Sequence, residues 1–335
     1  MNSFPHIIDS SMISAFRSCP RKAQLQYLEH WKPREESVHL IAGGAFAKGI
    51  EAARRAFYEE GKNVPDAEAI GLAALLKTYG DFECPAESAK SPERMAGALE
   101  FYYSNYPLGA DGAEPITTSS GRRGIEFSFA EVLDIAHPGT GDPLIFSGRA
   151  DMIAEFAGGV FGFDEKTTSQ LGAKWSGQWE LRSQFTAYSW AGRRTGIPMQ
   201  GTIVRGISIL KNKYETQQAI TYRSDWEIDR WEKQLYRDLQ RMMDLYKEDY
   251  FDSNLDGSCV RAGNPWERNL DSACNDYSGC PFRGVCKSKH PEMLLEADFH
   301  KRIWDPIQHR ELTIEEWEAS WEGNPAGIQN NTSGE

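Results

Sequence analysis

Two short runs hold the residues of this chain best suited to chemistry: Gly148-Arg149-Ala150-Asp151 and Phe163-Asp164-Glu165-Lys166-Thr167-Thr168. Both fall in stretches read as strands, roughly 144–156 and 160–168, joined by the hairpin signal Gly158-Gly159. Side chains alternate along a strand, so Asp164 and Lys166 share one face and Glu165 takes the other. A turn centred on Gly158-Gly159 places Lys166 opposite Asp151, so two carboxylates and one ammonium converge. Two ionised carboxylates ~4 Å apart repel by about 4 kcal/mol at an effective dielectric of about 20. A divalent cation removes that repulsion, and hard oxygen ligands select Mg²⁺ or Mn²⁺. Such a cation ionises a bound water and neutralises charge growing on a phosphate, and a neighbouring lysine supports the same charge. The plainer alternative is a surface cluster of ion pairs. The apolar flanks Leu144, Ile145, Phe146, Val160 and Phe161 favour buried, central strands, where charges are paired, metal-bound or functional.

The elements that must hold these residues belong to an α/β chain. Residues 10–105 read as helices. The first is capped by Ser10 or Ser11, the second follows Gly43-Gly44, the third covers 66–79, and the fourth starts at Ser91-Pro92-Glu93. Strands are expected over 125–132, 144–156, 160–168, 202–210 and 217–222, with helices over 177–194 and 225–249. The tail from about Gly323 is polar and reads as disordered. Among 335 residues, 37 Lys+Arg stand against 49 Asp+Glu, a net charge of −12. That balance argues against nonspecific coating of nucleic acid but allows a local basic groove. With 40% hydrophobic and 26% charged residues, collagen-like, mucin-like and wholly disordered chains are excluded. No stretch nears the ~18 apolar residues of a membrane span. Met1 to His6 lack the pattern of a secretory signal, so a cytoplasmic location is expected. With no export signal, the six cysteines read as metal ligands rather than a disulfide framework.

Asp151, Asp164-x-Lys166 and then Gln184-Phe185-Thr186-Ala187-Tyr188 together resemble the PD-(D/E)XK nuclease superfamily, and more narrowly its RecB-like branch, which carries a Gln-x-x-x-Tyr motif on the next helix. Gln184 and Tyr188 are one helical turn apart on one face. The resemblance implies a restriction-endonuclease-like core with a mixed central sheet flanked by helices. It implies Mg²⁺ or Mn²⁺ held by Asp151, Asp164 and the main-chain carbonyl of Glu165. Lys166 would orient the attacking water, and Gln184 and Tyr188 would position the nucleic acid. The branch also has an N-terminal Gly-x-x-x-His motif, often followed by Glu. Gly43 to Glu51 matches it except that Ala47 stands at the histidine position. The implied site is therefore built of oxygens and leans to Mg²⁺, with Glu51 contributing directly or through water, unless His39 reaches in.

Cys274, Cys280 and Cys286, with Cys19 far upstream, resemble the split cysteine set of the superfamily's iron–sulfur members, including CRISPR-associated exonucleases. The resemblance implies a [4Fe–4S] cluster on these four, with Cys259 as a substitute for Cys274 or Cys19 and Cys84 as a plain buried thiol. Four thiolates also suit Zn²⁺. Joining residue 19 to 286 closes a long loop, which in a simple entropy account contributes on the order of 4 kcal/mol.

The expected organisation is an N-terminal helical region (1–115), a nuclease core (116–255), a Cys-rich segment (256–300) and a tail (301–335). Arg21, Lys22, Arg54, Arg55, Arg149, Arg182, Lys211, Lys213, Arg283, Lys287 and Lys289 are candidates to line a DNA channel. Trp175, Trp179 and Trp190 are candidates to stack on unpaired bases. The expected activity is phosphodiester hydrolysis in DNA by an exonuclease acting on single strands or ends. The resemblance places such enzymes in phage or bacterial recombination, repair or replication, with protein partners from those processes. Two rival readings are a non-catalytic binding module of the same fold and a structural-zinc protein.

Overall fold

The computed structural model describes residues 4–118, 121–250, 264–270, 273–275 and 279–317. Cys259 and the tail from Gly323 lie outside the described residues. In chain order the elements begin with β1 (Ile7–Asp9), α1 (Ser10–Ser18), α2 (Pro20–Ala23), a π turn (Gln24–Leu28), β2 (Trp31–Pro33), α3 (Val38–Tyr58), α4 (Val64–Tyr79) and α5 (Pro92–Asn105). They continue with β3 (Glu114–Pro115), β4 (Ile125–Ala136), β5 (Pro143–Phe156), β6 (Gly159–Thr168), α6 (Ala173–Gly177), α7 (Ser183–Arg194), β7 (Met199–Ile209), β8 (Tyr214–Tyr222) and α8 (Asp225–Tyr250). Last come α9 (Arg283–Lys287), α10 (Pro291–Asp298), β9 (Phe299–Lys301), β10 (Ile303–Asp305) and β11 (Arg310–Leu312). The chain forms two compact units. One gathers residues 1–35, 130–148 and 230–335; the other gathers 36–129 and 149–229.

The second unit holds the acidic hairpin. β5 and β6 are antiparallel, β6 and β7 parallel, and β7 and β8 antiparallel, giving the mixed α/β sheet expected from the sequence. The parallel step is bridged by α6 and α7. On the Glu165 face of β6 lies an apolar layer of Met152, Ala154, Phe161, Phe163 and Ile203. α3, α4 and α5 build a further core with Ile207 and Ile209 of β7. α3 and α4 cross unusually closely: a Cβ on Gly71 would come 2.7 Å from the carbonyl oxygen of Gly49 and 2.8 Å from Ala53 Cβ. Glycine at 71 is therefore a packing requirement that holds α3 in place.

Local chemistry explains most helix starts. Asn63 caps α4 by accepting from Asp66 N, and Ser91 caps α5 ahead of Pro92, as read from the sequence. α1 differs: its cap is Asp9, whose Oδ1 accepts from Met12 N at 2.8 Å. Asp9 ends β1, and the helix starts one residue earlier than expected. The helix expected over 177–194 is broken into α6 and α7. Arg223 donates to Trp179 O at 3.2 Å and to Thr186 Oγ1 at 2.8 Å, fixing the turn between them.

In the first unit β1 runs parallel to Ile145–Ser147 of β5, and β2 pairs with β9. Leu25, Phe282, Val285, Leu295 and Phe299 form a small core there. The buried stripe of α8, Leu235, Leu239, Met242 and Met243, follows the helical period read from the sequence. No helix among the described residues is long and apolar enough to cross a membrane.

Two glycine substitutions should move stability in opposite directions. Gly71→Ala forces backbone apart and should cost about 1–3 kcal/mol despite its better helix propensity. Gly44→Ala, with nothing within 4 Å of its would-be Cβ on α3, should stabilise by up to about 1 kcal/mol. Thermal unfolding of the two variants checks the sign of each.

Candidate functional site

The hairpin register brings the carboxylates together more directly than the turn signal suggested. Met152 pairs with Phe163 and Phe156 with Gly159, so the turn is Ala157-Gly158, both at positive φ (49° and 83°). The next step of that register sets Asp151 across from Asp164, rather than across from Lys166. The correction is a shift by two residues, which keeps every side chain on its face; a one-residue slip would have scattered the group.

Asp164 is 1% exposed, and its Oδ2 has no hydrogen-bond donor. Its Oδ1 takes the Lys166 ammonium, which keeps a third of its side chain exposed, and Arg182 adds a further positive charge. Asp151 Oδ2 accepts the main-chain N–H of Glu165 at 3.4 Å. Burial pushes the Asp151 carboxyl well up, and the Asp164 charge pushes it further. Burial raises Asp164 too, against the pull of Lys166. For Lys166, burial favours the neutral amine, but Asp164 and Asp151 outweigh it and hold the ammonium above its ordinary range.

Gln184 Nε2 donates to the Tyr188 hydroxyl at 2.8 Å on α7. Burial, then the charges of Asp164 and Asp151, push that phenol well up, so it keeps its proton. The Gln184–Tyr188 pair thus belongs to the same face as the acids. Glu165 points the other way, as alternation requires. It is fully paired: Arg54 binds both its oxygens, and Tyr102 Oη donates to Oε1 at 3.0 Å. Burial opposes ionisation there, but Arg54 overcomes it and holds Glu165 low.

Glu51 is pinned by Lys48 at 2.7 Å and Arg55 at 3.1 Å on α3. Its charge acts on Glu126, and Glu126 in turn acts on Asp151. Glu126 is a residue that sequence reasoning missed. It is buried, adopts φ 50°, and pairs with Arg149 Nε at 2.7 Å. Burial pushes its carboxyl up to about 7, partly offset by Arg149. In the sequence it was one polar position of an alternating strand, and nothing local marked it as buried. Ala47, one turn before Glu51, is exposed, and His39 has Lys90 as its electrostatic neighbour. Arg54 is locked in its buried ion pair and does not line a channel. Trp175, Trp179 and Trp190 are 6%, 7% and 0% exposed, so none offers a face to a base. Trp175 packs where a Cβ of Gly206 would stand.

In the other unit, Cys19, Cys274, Cys280 and Cys286 border one cavity of about 20 Å³, ringed by Lys22 and Arg268. Asn269 N donates to Cys19 Sγ at 3.5 Å, and Cys274 Sγ donates to Asn269 O at 3.5 Å. Burial raises the Cys280 and Cys286 thiols, and neighbouring thiolates would raise both further. Cys84 lies in the second unit and is only half-buried, not the buried thiol expected, because it sits in the turn-rich stretch between α4 and α5. Among the described residues, no three His, Cys, Asp or Glu side chains stand at metal-binding geometry. The four thiols border one space without closing on a centre.

The hairpin acids fit a hard cation. Two carboxylates face each other, one with a buried oxygen that has no donor, and the main-chain carbonyl of Glu165 lies between Asp164 and Lys166. Mg²⁺ is commonly held by one or two carboxylates, with water and phosphate completing its shell. This geometry is that of a known class: the chain belongs to the PD-(D/E)XK nuclease superfamily, whose family model matches residues 10–287. That superfamily consists of phosphodiesterase nucleases that use Mg²⁺ or Mn²⁺. No curated protein matches the chain. Among solved structures, one titled "Crystal structure of SSO0001" is similar at 13% identity, covering 67% of this chain and 82% of that one. Its TM-score of 0.25 is too low to bear on the argument.

Without metal, the acids should destabilise the fold in a pH-dependent way. The folded state holds their protons more tightly than the unfolded chain, so stability falls as pH rises from about 4 toward neutrality. Asp164→Asn should therefore raise the melting temperature in EDTA by a few °C at neutral pH, with the gain shrinking toward pH 4. Mg²⁺ should stabilise the wild type more than the variant. A pH-independent gain with no Mg²⁺ response would contradict the site.

Proposed function

We propose that this chain is a metal-dependent DNA nuclease, acting as an exonuclease on single strands or ends in recombination, repair or replication. The observation that carries the reading is the buried carboxylate of Asp164 facing Asp151, with Lys166 on its Oδ1 and no donor on its Oδ2. Asp151, Asp164 and the carbonyl of Glu165 would hold Mg²⁺ or Mn²⁺. When bound, the ion supplies an ionised water and a positive charge opposite the phosphate. Lys166 serves as a cation: held protonated, it orients the water and offsets charge on the phosphate oxygens rather than removing a proton. The Tyr188 hydroxyl, itself fed by Gln184, donates to a phosphate oxygen of the bound strand. Glu51 acts through Glu126 or a water, since Lys48 and Arg55 already hold it. The missing histidine at Ala47 leaves an all-oxygen site, which favours Mg²⁺.

The cysteine set supports a structural [4Fe–4S] cluster on Cys19, Cys274, Cys280 and Cys286, its negative charge offset by Lys22 and Arg268. Zn²⁺ is the alternative for the same ligands. Either would tie the start of the chain to its later segment within one unit.

Ala47 also favours a second reading, a module that keeps the fold and binds nucleic acid without cutting it. Labelled single- and double-stranded DNA with Mg²⁺ decides between them. Wild type should cut, and Asp151→Ala, Asp164→Ala and Lys166→Ala should each lose at least about 10²-fold in rate. Binding with no cleavage supports the module, and cleavage surviving all three substitutions removes the site. Protein purified without oxygen should be brown, with iron and sulfide in equal amounts; a colourless protein with one zinc rejects the cluster.

A further inference from the structure

Two buried arginines of the nuclease unit have a carboxylate partner. Arg54 meets Glu165, and Arg205 meets Asp111 at 2.5 Å. Lys90 is different. It is 7% exposed, and no carboxylate among the described residues pairs with it. Its main chain is anchored: the carbonyl accepts from Tyr79 Oη at 2.7 Å, and the amide donates to Ser88 Oγ at 3.1 Å. Its ammonium has a neutral partner, Thr167 Oγ1, at 3.1 Å. Burying an ammonium with no counter-ion is costly, and a purely structural position would be better filled by an apolar side chain of similar length.

Its surroundings suit an arriving anion. Thr167 directly follows Lys166 and is half-buried, close to where β6 ends at Thr168. Along the strand it lies about 10 Å from Asp164, at ~3.3 Å per residue, on the face that Glu165 takes, so the approach to it is from the end of the strand. The start of α3 lies alongside, and a Cβ on Gly43 would come 3.8 Å from Thr167 Oγ1, so glycine leaves this approach open. His39, exposed in the first turn of α3, is within electrostatic reach of Lys90. Ser37 places no side-chain hydrogen bond on that turn, whose amides carry the positive end of a 21-residue helix. A buried lysine ammonium, a hydroxyl, an imidazole and a helix start thus converge at the end of the strand that carries Asp164.

We infer that Lys90, with Thr167 and His39, forms a subsite for a backbone phosphate flanking the phosphate cut at Asp151 and Asp164. This rests on the nuclease reading above. The subsite fixes how far along the strand the nucleic acid lies and favours a continuous polyanion over an isolated phosphate ester.

The test is equilibrium binding of a single-stranded oligodeoxynucleotide in EDTA, with a series carrying one neutral methylphosphonate at successive linkages. For wild type, one linkage near the cut should weaken binding about 10-fold when neutralised. Lys90→Met should bind about 10-fold more weakly, ignore that replacement, and lose about 0.7 from the slope of log affinity against log salt. Lys90→Arg should keep the slope. The melting temperature of Lys90→Met should stay level or rise, because an uncompensated buried charge is gone. Binding and slope unchanged in Lys90→Met would overturn the subsite. So would weak binding accompanied by a lower melting temperature, which marks a structural lysine. Wild type that neither binds nor cuts DNA overturns the nuclease reading and the subsite with it. Wild type that cuts, with Lys90→Met binding equally well, overturns the subsite alone.

Discussion

The mutual repulsion of Asp151 and Asp164, enforced by a hairpin that sets them across from one another, organises the nuclease unit. Neither acid can move away, because each is fixed by strand pairing. Hydrogen bonds relieve them little, since Asp164 Oδ2 has no donor and Asp151 has one long one. Lys166 supplies one positive charge against two negative ones. The arrangement is stable only because the rest of the unit holds the strands rigidly, and its deficit of positive charge is what a divalent ion would fill.

The opposite face of the same strand shows how the fold withstands this. Glu165 sits between Asp164 and Lys166 and points into the helical layer, where Arg54 and Tyr102 grip it. A saturated ion pair thus backs an unsaturated one across a single strand. α3 supplies Arg54, and α3 is in turn held by the close glycine crossing with α4. Precision at the acids is therefore bought on the other side of the sheet, by the packing of α3 and α4.

The other unit uses a different device. Segments distant in sequence meet there at the four thiols, beside a small cluster of Leu25, Phe282 and Phe299. Burial raises the thiols of Cys280 and Cys286 at the cavity they border.

Much of this was legible in the residues themselves. Alternation placed Asp164 and Lys166 on one face and Glu165 on the other, and a period of two survives any shift by two in register. The helical spacing of Gln184 and Tyr188, the Ser91 and Pro92 start of α5 and the apolar stripe of α8 are local properties, so the sequence carried them. Other features arise between segments far apart in the chain. The exact register followed from Ala157 and Gly158 both accepting positive φ. The burial of Trp175, Trp179 and Trp190 came from packing against strands and helices. The partner of Arg54 lies 111 residues away, and the charge states of Glu126 and Lys90 depend on neighbours no local pattern reveals. Spacing along the chain determines which face a side chain takes; whether a charge on that face finds water, a counter-ion or neither is determined by what folds over it.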